Sequence, residues 1–335
     1  MTMKFKRIIL ALALVFAPFA CIVLSAFLGR YPLSPVEIFH AIVNRLSGVA
    51  PDVGTNIVWE IRLPRAILGS MVGASLAVSG AALQGLFRNP LVSSGMLGVS
   101  AGAGFGAALA IVLFHNTFMI YLFAFLFGIL AVALSYMIGR IYDTAPVIML
   151  VLGGVIVSSI FSALLSLIKY IADPYVELPS IVFWLMGSLS SASYKSILIS
   201  SIPVFIGLAG LMLMRWRINV LSMGDREARS MGLNINLDRA VVIICTTLAT
   251  AGAVCVSGII GWVGLVIPHM GRIIAGNDNR ILIPVSMSLG ACFLVIIDNL
   301  GRIITGGEIP LSILTAIIGG PFFVYLLKKT KGGGW

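Results

Sequence analysis

The run Ala240-Val-Val-Ile-Ile-Cys-Thr-Thr-Leu-Ala-Thr-Ala-Gly-Ala-Val-Cys-Val-Ser-Gly-Ile-Ile-Gly-Trp-Val-Gly-Leu-Val-Ile-Pro-His-Met-Gly271 decides the topology of this chain. It holds 32 residues without a formal charge. As one straight helix it would be about 48 Å long, against about 30 Å for the hydrocarbon core of a bilayer. Gly258, Gly261, Gly264 and Pro268 interrupt it. By length alone, one long span and two passes with a bend are both open. The choice reverses the side of every later loop.

Eight further uncharged runs are long enough to be spans: Ile8–Leu28, Ala66–Phe87, Leu91–Phe114, Phe118–Gly139, Thr144–Ile168, Ser196–Met214, Ile281–Ile297 and Ile309–Leu327. The first follows Lys4, Lys6 and Arg7, but it is too long for the apolar region of a signal peptide and is read as a retained span. If the run at 240–271 makes two passes, there are ten spans and both termini lie inside. Arg30, Arg45, Arg62, Arg65, Lys169, Lys195 and Arg302 are then outside, and the other 15 of the 22 basic residues are inside. A single pass leaves 11 inside and 11 outside. Basic residues concentrate on the cytoplasmic side of membrane proteins, so ten spans are expected.

Composition agrees with lipid as the solvent. Hydrophobic residues make up 59% of the 335 residues and charged residues 10%. Soluble proteins carry roughly 25% charged residues. The net charge of +10 is scattered through short gaps, which fits membrane orientation and not a nucleic-acid surface. Cys21, Cys245, Cys255 and Cys292 lie inside apolar runs without Cys-x-x-Cys or metal spacing, and read as small buried hydrophobes. Gly69, Gly73, Ala77 and Ala81, and likewise Gly98, Gly102 and Gly106, recur every four residues. Such stripes let helices approach backbone to backbone in lipid. The fold expected is an all-α polytopic membrane protein in one domain, residues 1–335. It has ten transmembrane helices, several short or broken, with short cytoplasmic helices.

Chemistry of its own is hard to find in the chain. No Gly-x-x-x-x-Gly-Lys-[Ser/Thr] phosphate cradle, His-Glu-x-x-His or Ser/His/Asp set is present, and no catalytic or metal-ligating set is assigned. His269 follows Pro268 but stands alone as a possible ligand. Charges inside the apolar runs are almost absent, which weakens a proton relay and the ion-coupled secondary transporter as a rival class.

Three stretches depart from ordinary loops. Ser222-Met-Gly-Asp-Arg-Glu-Ala-Arg-Ser-Met-Gly-Leu233 is the densest charge cluster. It reads as a short polar helix with a glycine stop, either a solvated loop or a docking element for a cytosolic partner. Arg62-Leu-Pro-Arg65, with Arg302, gives a basic group on the outer side. These arginines either snorkel to headgroups or fork onto carboxylates of an acidic partner. Gln84-Gly-Leu-Phe-Arg-Asn-Pro-Leu91 reads as a turn between helices. Within the fifth span, Ser158 or Ser159, Ser162 and Ser166 share one face at four-residue steps. Their hydroxyls either meet a hydrated solute or bond back to their own helix.

Taken in order, seven pieces resemble the permease subunits of type II ABC importers for iron–siderophores, haem and vitamin B12. They are Arg62-Leu-Pro-Arg65, Gly80-Ala-Ala-Leu-Gln84 with Arg88-Asn-Pro-Leu91, Leu97-Gly-Val-Ser-Ala-Gly-Ala103, Arg226-Glu-Ala-Arg-Ser-Met-Gly232, Gly264-Leu-Val-Ile-Pro-His269, Asp298 with Arg302, and Glu308-Ile-Pro310. The resemblance implies a permease that pairs with a second copy of itself, two cytosolic ABC ATPase subunits and an extracytoplasmic substrate-binding protein, in the cytoplasmic membrane. ATP and Mg would be held by the ATPase, so this chain needs no cofactor. The resemblance assigns Arg62, Arg65 and Arg302 to binding-protein docking. Gly224, Asp225, Arg226, Glu227, Arg229 and Gly232, within a coupling segment at about 219–236, fall to the ATPase. The path would run along the dimer axis between spans five and ten, past the serines, with an inner gate near Thr144, Pro146, Val147 and Ile148. The cargo expected is a metal chelate, with cobalamin or an oxyanion such as molybdate or tungstate as alternatives. Lys169 and Lys195 fit an anionic cargo.

Overall fold

Among the residues described by the computed structural model (3–48, 50–140, 147–304 and 307–329, with side chains from residue 12 onward except 46, 326, 327 and 329), every regular element is helical. The helices are α1 (Met3–Phe27), α2 (Pro35–Leu46), α3 (Val53–Asn56), α4 (Leu63–Phe87), α5 (Val99–Phe114), α6 (Thr117–Gly139) and α7 (Val147–Ile171). They continue as α8 (Glu177–Leu185), α9 (Tyr194–Leu221), α10 (Asp225–Ser230), α11 (Ile235–Ser257), α12 (Val263–Ala275), α13 (Asn279–Ile303) and α14 (Leu311–Lys329). Among the described residues, six helical stretches are long and apolar enough to cross a membrane, and four shorter apolar helices accompany them, in α1, α5, α12 and α14.

The run that decides topology is broken in two. α11 stops at Gly258, whose φ of 68° suits a residue without Cβ, and α12 starts after Trp262. A Cβ on Gly258 would meet the Trp184 carbonyl, so the break is closely packed as well as bent. The thirteen residues of α12 span only about 20 Å at 1.5 Å per residue. The run is thus two helices joined by a bend, as the two-pass reading requires, and the second is about two-thirds as long as the core is thick.

Packing explains the small-residue stripes. A Cβ on Gly73 of α4 would strike the carbonyl of Gly290 on α13, and one on Gly80 would strike that of Gly264 on α12. Gly102 and Gly106 of α5 press on the backbone of α6 at Phe127 and Phe123. The central helices follow from this: α4 with its lead-in is 83% buried over its most apolar stretch and α11 is 78% buried. By contrast α6, α7 and α9 are only 28%, 28% and 22% buried. Their exposed side chains, such as Ile160, Phe205 and Leu213, are apolar. Hydrocarbon takes the place of water on that surface.

Helices run past their apolar runs at both ends. α4 is preceded by α3 and a π-helical turn, Ile57–Arg62, making one 35-residue stretch from Val53. Pro64 has no N–H to donate to the preceding turn, and the Leu63 N–H reaches back five residues to Val58, which widens the helix there. α13 continues beyond Ile297 to Ile303 and so carries Asp298 and Arg302 in its last turns. The expectation of almost uncharged spans is corrected at these positions: apolar runs miss the helix ends, where charges are neutralised by one another. The sequence reading also missed α2 and α8. α2 is amphipathic, with a Ser34–Glu37 capping box and Pro35 at its start.

Candidate functional site

α4 is 25 residues long, about 37 Å, and defines two ends of the bundle. At its start lie Arg62 and Arg65, and near its end Arg88.

At the arginine end, the guanidiniums are buried: Arg62 is 2% exposed, and Arg65 and Arg302 are 6% each. Arg62 donates to the carbonyls of Ala26 (2.7 Å) and Tyr31 (2.5 Å), tying the π turn to the end of α1. Arg65 Nε donates to both oxygens of Asp298 at 2.9 and 3.0 Å, and its Nη1 to Glu308 at 2.8 Å. Arg302 lies one turn after Asp298, with Nε 3.3 Å from Oδ2. Its Nη2 donates to Asn299 and to Ser25, whose hydroxyl in turn donates to Asn299. Burial works to raise the Glu308 carboxyl, but the hydrogen bond and charge of Arg65 outweigh it and hold the group below its ordinary value. The network thus joins α1, α4, α13 and the α13–α14 connection. It gathers all three arginines of the sequence reading at one end, with Asp298 and Glu308 as internal counter-charges for Arg65 and Arg302 and backbone carbonyls as the partners of Arg62.

A second junction lies at the same end. The first N–H groups of α14, on Leu311 and Ser312, donate to the carbonyls of Gly187 and Met186 after α8, at 3.0 and 3.2 Å. The Ser188 N–H donates to Ser257, the last residue of α11, at 2.8 Å. Orphan donors at one helix start meet orphan acceptors at another helix end.

At the opposite end, α10 is a single polar turn and a half set between Gly224 (φ 138°) and Gly232 (φ 79°). Arg226, Glu227 and Arg229 are exposed, as are Met223, Met231 and Leu237 around them. Asp225 differs from its neighbours. Its oxygens accept from Arg239 Nη2 at 2.7 and 2.9 Å, and Oδ1 lies 3.8 Å from Arg88 Nη2. The six residues expected in the coupling segment therefore divide into a presented face, two glycine ends and one half-exposed carboxylate tied to Arg239.

The serine stripe of α7 borders an open groove of about 570 Å³. Ser158, Ser159 and Ser162 line it together with Ser93 and Ser100, which the sequence reading did not single out. Ser166 is exposed on the same helix but does not line the groove. Ser159 Oγ donates to the Val155 carbonyl and Ser166 Oγ to the Ser162 carbonyl, both at 2.9 Å. Such hydroxyls keep their acceptor lone pairs for a solute. Of the expected gate, Thr144 and Pro146 lie outside the described residues. Val147 and Ile148 open α7, and Ile148 is 67% exposed.

The geometry is that of a polytopic helical bundle with broken spans, a presented polar turn and a hydroxyl-lined groove, and the family match supplies its class. The FecCD transport family model matches residues 14–329. The chain belongs to that family and is the permease subunit of a type II ABC importer, without an ATPase site of its own. Such a permease works with ATPase and binding-protein partners and as a dimer. It is similar to the molybdate import system permease protein MolB of Haemophilus influenzae, 39% identical over 93% of both chains. It is also similar to an iron chelatin transport system permease of Helicobacter pylori, 43% identical over 82% of this chain and 83% of that one. Among solved structures, a metal-chelate type ABC transporter in an inward-facing conformation superposes with a TM-score of 0.85 at 37% identity, covering 95% of this chain and 98% of the other.

Proposed function

We propose that this permease imports a metal chelate, such as a ferric siderophore or haem, delivered by a substrate-binding protein. The observation that carries the reading is the groove of about 570 Å³ lined by serine hydroxyls and no formal charge. A chelate wraps the charge of its metal, so hydroxyls suffice to pass it, and a fixed countercharge would hold it back. A second copy of the chain supplies the other wall of the path along α7 and α14. Val147 and Ile148, with Thr144 and Pro146, form the inner gate.

The arginine end is the outer side in this reading, and α10 faces the cytoplasm with both termini, in the cytoplasmic membrane. Two ATPase subunits dock on Arg226, Glu227 and Arg229. The binding protein docks over Arg62, Arg65 and Arg302. Because Arg65 and Arg302 have internal counter-charges, an incoming carboxylate has to compete there with Asp298 or Glu308, and Glu308, whose side chain is 32% exposed, is the accessible lip of the network. Docking therefore loosens the tie between α4 and α13 at the outer rim.

An oxyanion is the second reading, supported by the likeness to MolB over nearly the whole of both chains. The test is uptake into proteoliposomes holding the permease with its ATPase and binding protein. ATP-dependent accumulation of an iron-labelled chelate, without molybdate, is expected. Molybdate uptake that excludes the chelate would overturn the first reading in favour of the second.

A further inference from the structure

Asp225 opens the helix that meets the ATPase, yet its carboxylate, still 40% exposed, bonds back to the body of the protein. It accepts hydrogen bonds from Arg239 at the start of α11, and it forms a longer, half-exposed ion pair with Arg88 at 3.8 Å. Arg88 caps α4 in the left-handed region, with φ 51°, so its side chain leaves from a fixed corner and not from a regular helix. A Cβ on Gly224 would lie 3.6 Å from Arg88 Nη1, so the start of α10 packs against the same guanidinium.

Beyond Arg88 the chain runs directly to the groove. Asn89 Oδ1 accepts from the Leu91 N–H at 2.9 Å, and Val92 N–H donates to the Asn89 carbonyl at 3.3 Å, making a compact corner. Gln84 Nε2 donates to the Val92 carbonyl at 3.1 Å. Ser93, Gly95, Met96 and Ser100 then border the groove opposite Ser158, Ser159 and Ser162. The far side is held as firmly: Ser135 Oγ donates to the Leu97 carbonyl at 2.9 Å, and a Cβ on Gly154 of α7 would strike the Met96 carbonyl. A rigid corner thus separates the α10 carboxylate from one wall of the path.

We propose that Asp225 is a positioning residue which, through Arg88, carries movement of α10 to the 88–100 wall of the serine groove. This rests on the reading of α10 as the ATPase-facing element. It gives Asp225 a task distinct from that of Arg226 and Arg229, which face outward. Displacing α10 drags the carboxylate, and the carboxylate pulls Arg88 and the corner with it.

The test uses the reconstituted complex of permease, ATPase and binding protein, and reads the ratio of iron-labelled ferric siderophore taken up to ATP hydrolysed. Arg88→Asn removes the charge while keeping a residue that tolerates the left-handed corner. That ratio should fall about tenfold, within the range of measured coupling between sites, at unchanged ratio of permease to ATPase in the purified complex. Arg88→Lys should restore most of it. Asp225→Asn should reproduce the fall, and the double variant should be no worse than either single one, as expected for two groups acting as a unit. Unchanged coupling in Arg88→Asn, or effects that multiply in the double variant, would overturn the proposal. Because wild-type uptake is measured alongside, a failed importer assignment shows as no uptake at all. A failed relay shows as normal coupling in the variants.

Discussion

The two ends of this bundle use the same residue types in opposite ways. At the arginine end, Arg65, Asp298 and Arg302 are at most 6% exposed and answer one another's charge. At the α10 end, Arg226, Glu227 and Arg229 stand in the open. Burial sets the energy scale. A buried pair that loses one partner leaves an uncompensated charge in a poor solvent, whereas an exposed charge that loses its partner is taken up by water. The first end should thus govern whether the molecule holds together, and the second what it talks to.

The sharpest way to break that contrast is Asp298→Ala. It removes the shared counter-charge of Arg65 and Arg302 and should cost about 3–5 kcal/mol. The expected outcome is a large drop in melting temperature in detergent, or loss of the folded protein. A variant as stable as the parent would mean that water reaches the network freely. Next comes Arg226→Glu with Arg229→Glu. Stability should change by no more than about 0.5 kcal/mol, as for other surface substitutions. Co-purification of the ATPase and uptake should fall by at least about tenfold, the scale of a reversed charge at a docking surface. Normal uptake would remove α10 from the coupling role.

What could be read in the sequence follows the same division. Apolar runs and glycine stripes reveal which segments are helices, because period and side-chain size act locally. That the run at 240–271 makes two passes could be inferred from its length and from charge counting, while its glycines and Pro268 offered several places for the bend. The pairing of Arg65 with Asp298 could not be derived from spacing, since 233 positions separate them. Only Asp298 and Arg302, four apart on one helix, gave a local hint. The carbonyl partners of Arg62 leave no trace in residue identity at all. Similarly, the tie of Asp225 to the body of the protein depends on where α4 and α11 place Arg88 and Arg239. The π turn before α4 has a visible cause in Pro64, but apolar counting starts the helix after it. α2 and α8 were hidden because short helices beside long spans resemble loop sequence with apolar content.

A smaller effect sharpens the picture at the α10 end. Asp278 caps α13, with Oδ1 accepting from the Arg280 N–H at 2.9 Å. The Arg280 side chain, held to the same carboxylate, keeps Asp278 below its ordinary value. Because the folded value is lowered, the stabilisation is fully present above the unfolded pKa of about 3.9. It is lost as pH falls through the lowered folded value. Asp278→Ala should cost about 1 kcal/mol at neutral pH, a usual loss for a helix cap. The difference from the parent should shrink in acid, when melting is followed from pH 7 down to about pH 2. An equal deficit at all pH values would show that the cap acts without its charge.

The smallest expected effect tests the groove itself. Ser159 Oγ already donates to the Val155 carbonyl, so its proton is engaged and only its lone pairs face outward. If the hydroxyl serves its own helix alone, Ser159→Ala leaves uptake unchanged and stabilises the helix slightly, since such back-bonding is mildly unfavourable there. If it greets cargo, the same change removes one acceptor from a neutral contact worth about 0.5–1.5 kcal/mol, and the KM for uptake should rise roughly two- to tenfold. Ser166→Ala supplies the internal control, because Ser166 makes the same kind of back-bond on the same helix without lining the groove. A rise in KM for Ser159→Ala and none for Ser166→Ala is the expected result. Equal behaviour of the two would assign the stripe to the helix and not to the path.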